Sequence, residues 1–296
     1  MNLRFLRLAA VLLVFMLQAA PAWPENGEAQ LTGDDVASIT HMFLRNHYAR
    51  LSFDDDHSKD MLQHYLDRFD PGHYYFLQSD ISEFRKDEKN LDDLIRRGNI
   101  DLAFTIYNRF KQRMEQREKY LQEILHQDLK HQGSEKLATE RKNSPYPAND
   151  AEARALWLTR LKFEALELTL NKQTLDEAKE TLRKRYRSLH FRFSSFRPND
   201  VVSTYLNAFT ATFDPHSSYM PPDELENFNI SMSLSLEGIG ATLRWEDGFT
   251  IISSIVPGGA AARDGTLQPE DKIVGVGQGP NEPLEDVTNM RLSDVV

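Results

Sequence analysis

Apolar residues recur every three or four positions from Asp34 to about Phe213, and beyond Pro215 they alternate instead. In DLAFTIYNRFKQRMEQREKYLQEIL (Asp101–Leu125), Ala103, Ile106, Tyr107, Phe110, Met114, Leu121, Ile124 and Leu125 fall on one stripe of a long helix. A capping side chain three residues ahead of an acid marks a helix start at Asp80 with Glu83, Asn149 with Glu152, and Thr174 with Glu177. Gly98 closes a helix before Asn99, and the two-proline stretch KNSPYPAND (Lys142–Asp150) separates the next pair. The pattern predicts helices over 34–50, 58–69, 80–97, 100–131, 150–171, 175–193 and 199–213, with no repeat of constant period. After Pro215, ISMSLSL alternates, and ATLRW and FTIISSIV are rich in β-formers. EDG, PGG, QPED and GQGP punctuate them as turns. The closing DVTNMRLSDVV begins another helical pattern and stops uncapped, so the chain reads as interrupted there. The fold class is α+β, a mainly α-helical N-terminal domain followed by a mainly β region.

The totals narrow the function classes. A chain of 296 residues predicts about two domains. Its formal net charge of −10, from 45 acidic and 35 basic residues, argues against nucleic acid as the main partner, because phosphate affinity needs clustered Lys and Arg. The basic run LRKRYRSLHFRFSSFR (Leu182–Arg197) alternates with apolar residues and reads as a solvated helix face. No cysteine is present, which removes disulfides, thiolate nucleophiles and Cys-ligated zinc, and no cofactor or metal is expected. At the N-terminus, Arg4 and Arg7 precede an apolar run from Leu8 to Leu17 and then Ala20-Pro21-Ala22. This is the layout of a secretory signal spanning residues 1–22, cleaved after Ala22 and too short for stable membrane insertion, with a linker over 23–33. The expected location is the periplasm.

Most catalytic patterns are missing: there is no H-E-x-x-H, no G-x-x-x-x-G-K-[ST] and no G-x-S-x-G. DPHSS (Asp214–Ser218) holds Asp, His and Ser together, but triad members meet in space from separate segments, so it reads as a turn. His41, His47, His57, His64 and His73 share no ligand spacing and read as surface or core histidines. FDPGHYYFLQSD (Phe69–Asp80) reads as a packed aromatic corner between helices rather than a ligand groove. The stretch SLEGIGATLRW (Ser235–Trp245) is different. Its Gly-Ile-Gly turn ahead of a strand places successive backbone N–H groups where they form an anion-binding nest. A peptide's C-terminal carboxylate fits such a nest, with the following strand pairing the peptide as an added strand.

DPHSSYMPP (Asp214–Pro222), FNISMSLSLEGIGATL (Phe228–Leu243), GGAAA (Gly258–Ala262) and DKIVGVGQ (Asp271–Gln278) together resemble the tail-specific proteases, the carboxy-terminal processing peptidases of peptidase family S41. HYLDRFDPGHYYFLQSDISEF and ALWLTRLKFEALEL resemble the helical part of the same family. The resemblance implies a helical N-terminal domain over 34–222 and a PDZ domain over 223–296, truncated at its C-terminal side. It also implies a protease core beyond Val296 in which a serine nucleophile and a lysine base do the chemistry, so no catalytic residue is assigned here and the chain alone is expected to be inactive. The carboxylate loop falls on Gly238, Ile239, Gly240 and Ala241, acting through backbone N–H, with Ile239 lining the apolar end pocket and Leu243 on the pairing strand. A side chain at Gly240 is expected to obstruct the peptide. The implied partners are proteins or peptides with free apolar C-termini, without nucleic acid, and the identity of an envelope adaptor stays open. A second reading is a non-catalytic exported adaptor that binds peptide C-termini.

Overall fold

The computed structural model describes residues 30–127, 129, 136–233, 238–277, 279 and 282–296. The signal segment and its cleavage point, the first part of the linker and residues 234–237 of the alternating run lie outside the described residues.

Helix α1 (Gly33–Asn46) opens on a reciprocal cap. Asp35 N–H donates to the Thr32 hydroxyl, and Thr32 N–H donates to the Asp35 carboxylate at 2.8 Å. Helix α2 (Asp55–Phe69) starts three residues before its predicted start, because the Asp54 side chain accepts from the N–H groups of Asp56 and His57. The predicted helix 80–97 is two helices, α3 (Gln78–Phe84) and α4 (Leu91–Arg96), joined through a 3₁₀ turn at Arg85–Asp87. Asp80 is therefore not a cap residue. It sits within the first turn, where its carboxylate accepts from Leu77 N–H at 2.9 Å and from Arg113 Nε at 2.7 Å. The RKDEKN stretch (Arg85–Asn90) offers no apolar side chain to the core, which is why the helix loosens there.

Helices α5 (Asp101–Leu125), α6 (Asp150–Leu170), α7 (Leu175–Ser194) and α8 (Pro198–Thr210) follow. Asn149 and Thr174 cap α6 and α7 as expected, each accepting from the N–H three residues on. Their inward faces share one aromatic-rich core, in which Tyr65, Phe76, Phe110, Trp157, Tyr205 and Phe209 are fully buried. The Phe69–Asp80 corner is packed into that core. The buried Asp70 carboxylate accepts from Tyr74, Tyr75 and Phe76 N–H at 2.7, 2.8 and 3.0 Å. Burial pushes its pKa up, and the three backbone donors oppose that rise.

Beyond Pro215 the predicted β texture begins later than the alternation suggested. Pro222–Ser233 forms helix α9, with Leu225, Phe228 and Met232 exposed at three- and four-residue steps. Part of ISMSLSL therefore satisfies both periods, and the Pro222 start selects the helical one. Strands β1 (Ala241–Glu246) and β2 (Phe249–Ile255) then form a hairpin through Asp247 and Gly248, both at positive φ as a two-residue turn requires. Strand β3 (Lys272–Ile273) pairs with β2, giving the antiparallel order β1-β2-β3. Helix α10 (Ala260–Asp264) lies between them in sequence, and β4 (Gly275–Val276) pairs with β5 (Glu285–Asp286). Only Leu292–Val295 of the last predicted helix is helical, as α11. Upstream, Thr288 N–H bonds the Asp286 carboxylate at 2.8 Å and Asn289 N–H bonds Gly248 O at 2.7 Å, which holds that stretch in a turn.

Candidate functional site

The Gly238–Ala241 loop is shaped by where its carbonyls go. Ile239 O accepts from Ala261 N–H and Gly240 O accepts from Val256 N–H, each at 2.8 Å. Among the described residues, the N–H groups of Gly238, Ile239 and Gly240 donate to no backbone acceptor. The Ile239 and Gly240 carbonyls are thus turned into the domain. Gly240 has φ +76, and a Cβ on it would stand 2.9 Å from Gly259 Cα. The structure thus adds a second reason for this glycine. The backbone of Gly259 and Ala260 approaches it, so a side chain there disturbs the domain's own packing as well as straining the backbone at φ +76. At Gly238 a Cβ would meet nothing within 4 Å, and the Ile239 side chain is 49% exposed and open to a ligand.

Strand β1 is the sheet's edge. One side is paired to β2 from Ala241 to Glu246, and the other carries no strand among the described residues. Leu243, the predicted pairing residue, stands in this strand opposite Ile252, next to a bulge at Ser253 where the register shifts. Helix α11 follows β1 in space and supplies the first turn of a facing wall. The free edge of β1 thus runs from the Gly238–Gly240 loop toward α11.

The pattern of the family "Tail specific protease N-terminal domain" matches residues 39–223, and that of the PDZ domain matches residues 227–296. This chain belongs to the tail-specific protease family. It is 38% identical over 258 residues to the Tail-specific protease of Haemophilus influenzae, covering 87% of this chain and 37% of that one. It is also 38% identical over 63 residues to the Carboxy-terminal processing protease CtpA of Bacillus subtilis, 21% of this chain and 13% of that protein. The chain thus spans well under half the length of either relative. Among solved structures, the PDZ domain of a carboxy-terminal protease from Vibrio cholerae in complex with peptide is 52% identical. That match covers 20% of this chain and 60% of that one, with a TM-score of 0.20.

Elsewhere in this tail-specific protease chain, Asp214 gathers the residues that looked most like a triad. Ser217 Oγ donates to its carboxylate at 2.7 Å, His47 Nε2 lies 2.7 Å from the same oxygen, and His216 and Ser217 N–H bond the other oxygen. Hydroxyl and imidazole both contact the acid, so no base stands on the serine, and DPHSS is a turn as its sequence indicated. The link to His47 across 167 residues had no local signal. The Ser217 hydroxyl and then His47 hold the Asp214 carboxyl well below the usual carboxylate range. Likewise His41, His57 and His73 each have their own partner, in Arg96 O, Asp54 and Ser144 O. Among the described residues no cluster of three or more His, Asp, Glu or Cys is placed to hold a metal ion.

The basic run of α7 does more than face solvent. Lys184 and Arg187 reach Asp247 in the β1–β2 turn at 3.6 and 4.0 Å, and the ring of Phe191 stacks on Trp245 of β1. Arg291 and Asp200 close a second link at 2.6 Å. Helical and PDZ parts are therefore joined at the Trp245–Asp247 end of β1 and at Arg291, which no motif announced.

Proposed function

We propose that this chain is the regulatory and substrate-recognition part of a periplasmic carboxy-terminal processing serine endopeptidase, and that it selects protein substrates by free apolar C-termini. The observation that carries the reading is the Gly238–Gly240 turn. Its Gly240 and Ile239 carbonyls are held by Val256 and Ala261 N–H, its own N–H groups have no backbone acceptor among the described residues, and it opens onto the β1 edge that carries no strand among them. Such donors suit a carboxylate, and the exposed Ile239 side chain suits an apolar terminal residue. The serine nucleophile and lysine base are proposed to lie outside this chain, so it recognises without cleaving.

The test compares a peptide ending in apolar residues with the same peptide as its C-terminal amide, by calorimetric titration into the chain. The acid should bind at least about tenfold tighter, equivalent to about 1.4 kcal/mol, a modest difference for a charge-assisted contact. Equal affinities would remove the carboxylate reading.

A further inference from the structure

A cavity of about 720 Å³ lies where helices α6–α8 meet the PDZ part. Phe191, Phe196, Trp245 and Leu292 supply apolar wall, and four arginines stand around it against two carboxylates. Three of those arginines are engaged: Arg160 and Arg185 with Glu164 at 2.8 and 3.3 Å, and Arg291 with Asp200. The fourth, Arg192, is exposed; its guanidinium lies over the Phe193 ring and meets no carboxylate among the described residues. The cavity thus combines apolar wall with one uncommitted positive charge, and it favours a ligand that is apolar and acidic at once.

Its position says which ligand. Trp245 lies near the end of β1 away from the Gly238–Gly240 turn and Leu292 opens α11, so the cavity borders that end of the strand. A peptide with its carboxylate in that turn runs antiparallel to β1 at about 3.4 Å per residue, so about four residues back it has travelled about 14 Å and reaches Trp245. We infer that the helical domain completes the peptide site: a bulky apolar side chain four to five residues before the substrate's C-terminus enters this cavity, and an acidic neighbour meets Arg192. The inference rests on the carboxylate reading above and adds a second specificity determinant to it. The occupant is the upstream part of the same substrate tail, chosen because the far end of β1 borders the cavity and because the charge is complementary.

The experiment titrates three peptides into the full chain: a four-residue apolar tail, an eight-residue tail with Asp-Phe at the sixth and fifth positions from its end, and the same eight residues with Ser-Ala there. The Asp-Phe tail should bind at least tenfold tighter than the short one, and Ser-Ala should lose most of that gain. Arg192→Glu should weaken the Asp-Phe tail at least fivefold and leave the short tail unchanged, the short tail serving as the control for folding. If all three peptides bind alike and Arg192→Glu changes nothing, while acid still beats amide, this inference fails and the carboxylate reading stands. If no tail binds, or acid and amide bind alike, both fail.

Discussion

Gly240 and Gly259 touch backbone to backbone: a Cβ added to Gly240 would stand 2.9 Å from Gly259 Cα, and one added to Gly259 would stand 3.0 Å from Gly240 Cα. The contact clamps the Gly238–Ala241 loop onto the turn that leads into α10, beside the bonds from Val256 and Ala261 N–H to two of the loop's carbonyls. Gly240→Val would combine this clash with a β-branched residue at φ +76, at a cost of about 2 kcal/mol or more. The expected outcome is loss of amide-exchange protection over residues 241–255, with α5–α8 still protected. Retained protection in β1 and β2 would show that the clamp is not needed.

The rings of Phe191 and Trp245 lie 4.1 Å apart and 7° from parallel, joining α7 to β1. An aromatic pair contributes about 0.5–1.5 kcal/mol beyond its buried area. Phe191→Ala should therefore free the Trp245 indole, seen as greater iodide quenching, with the thermal midpoint of the helical core little changed. Quenching equal to that of the parent chain would place the junction elsewhere.

Asp214 ties the turn after α8 to His47 at the end of α1. Its carboxyl pKa is held low in the folded chain, so the contribution is fully present above the unfolded value of about 3.9 and is lost as pH falls below it. Denaturant titrations of the parent and Asp214→Asn should differ by a constant amount above about pH 5, with the gap narrowing below about pH 4. A gap that stays constant into strong acid would mean that the charge on Asp214 contributes nothing.

Export is checked directly. In a secreting host, the purified protein should begin at Trp23, as the Ala20-Pro21-Ala22 layout implies. A membrane-bound product retaining Met1 would make the segment an anchor.

Sequence alone determined the elements with strong local causes. The α5 stripe, the Asn149 and Thr174 caps, the Asp214 turn and the Asp247–Gly248 hairpin each depend on a few neighbouring residues, whose spacing and side-chain chemistry suffice. The same holds for the glycine loop, whose position ahead of a strand is a local pattern. Tertiary structure decided the rest. Asp80 passed for a cap because its partners, Arg109 and Arg113, stand 29 and 33 residues away on another helix. The end of α9 read as a strand because a short alternating run also fits a helix, and the choice between them is set by the Pro222 start eight residues earlier. The Gly240–Gly259 contact likewise had no local signal, since Gly259 lies 19 residues on and only folding brings its backbone against the loop. The cavity between α7, β1 and α11 is the extreme case. Its walls come from segments about a hundred residues apart, and such a surface exists only once apolar burial has drawn them together.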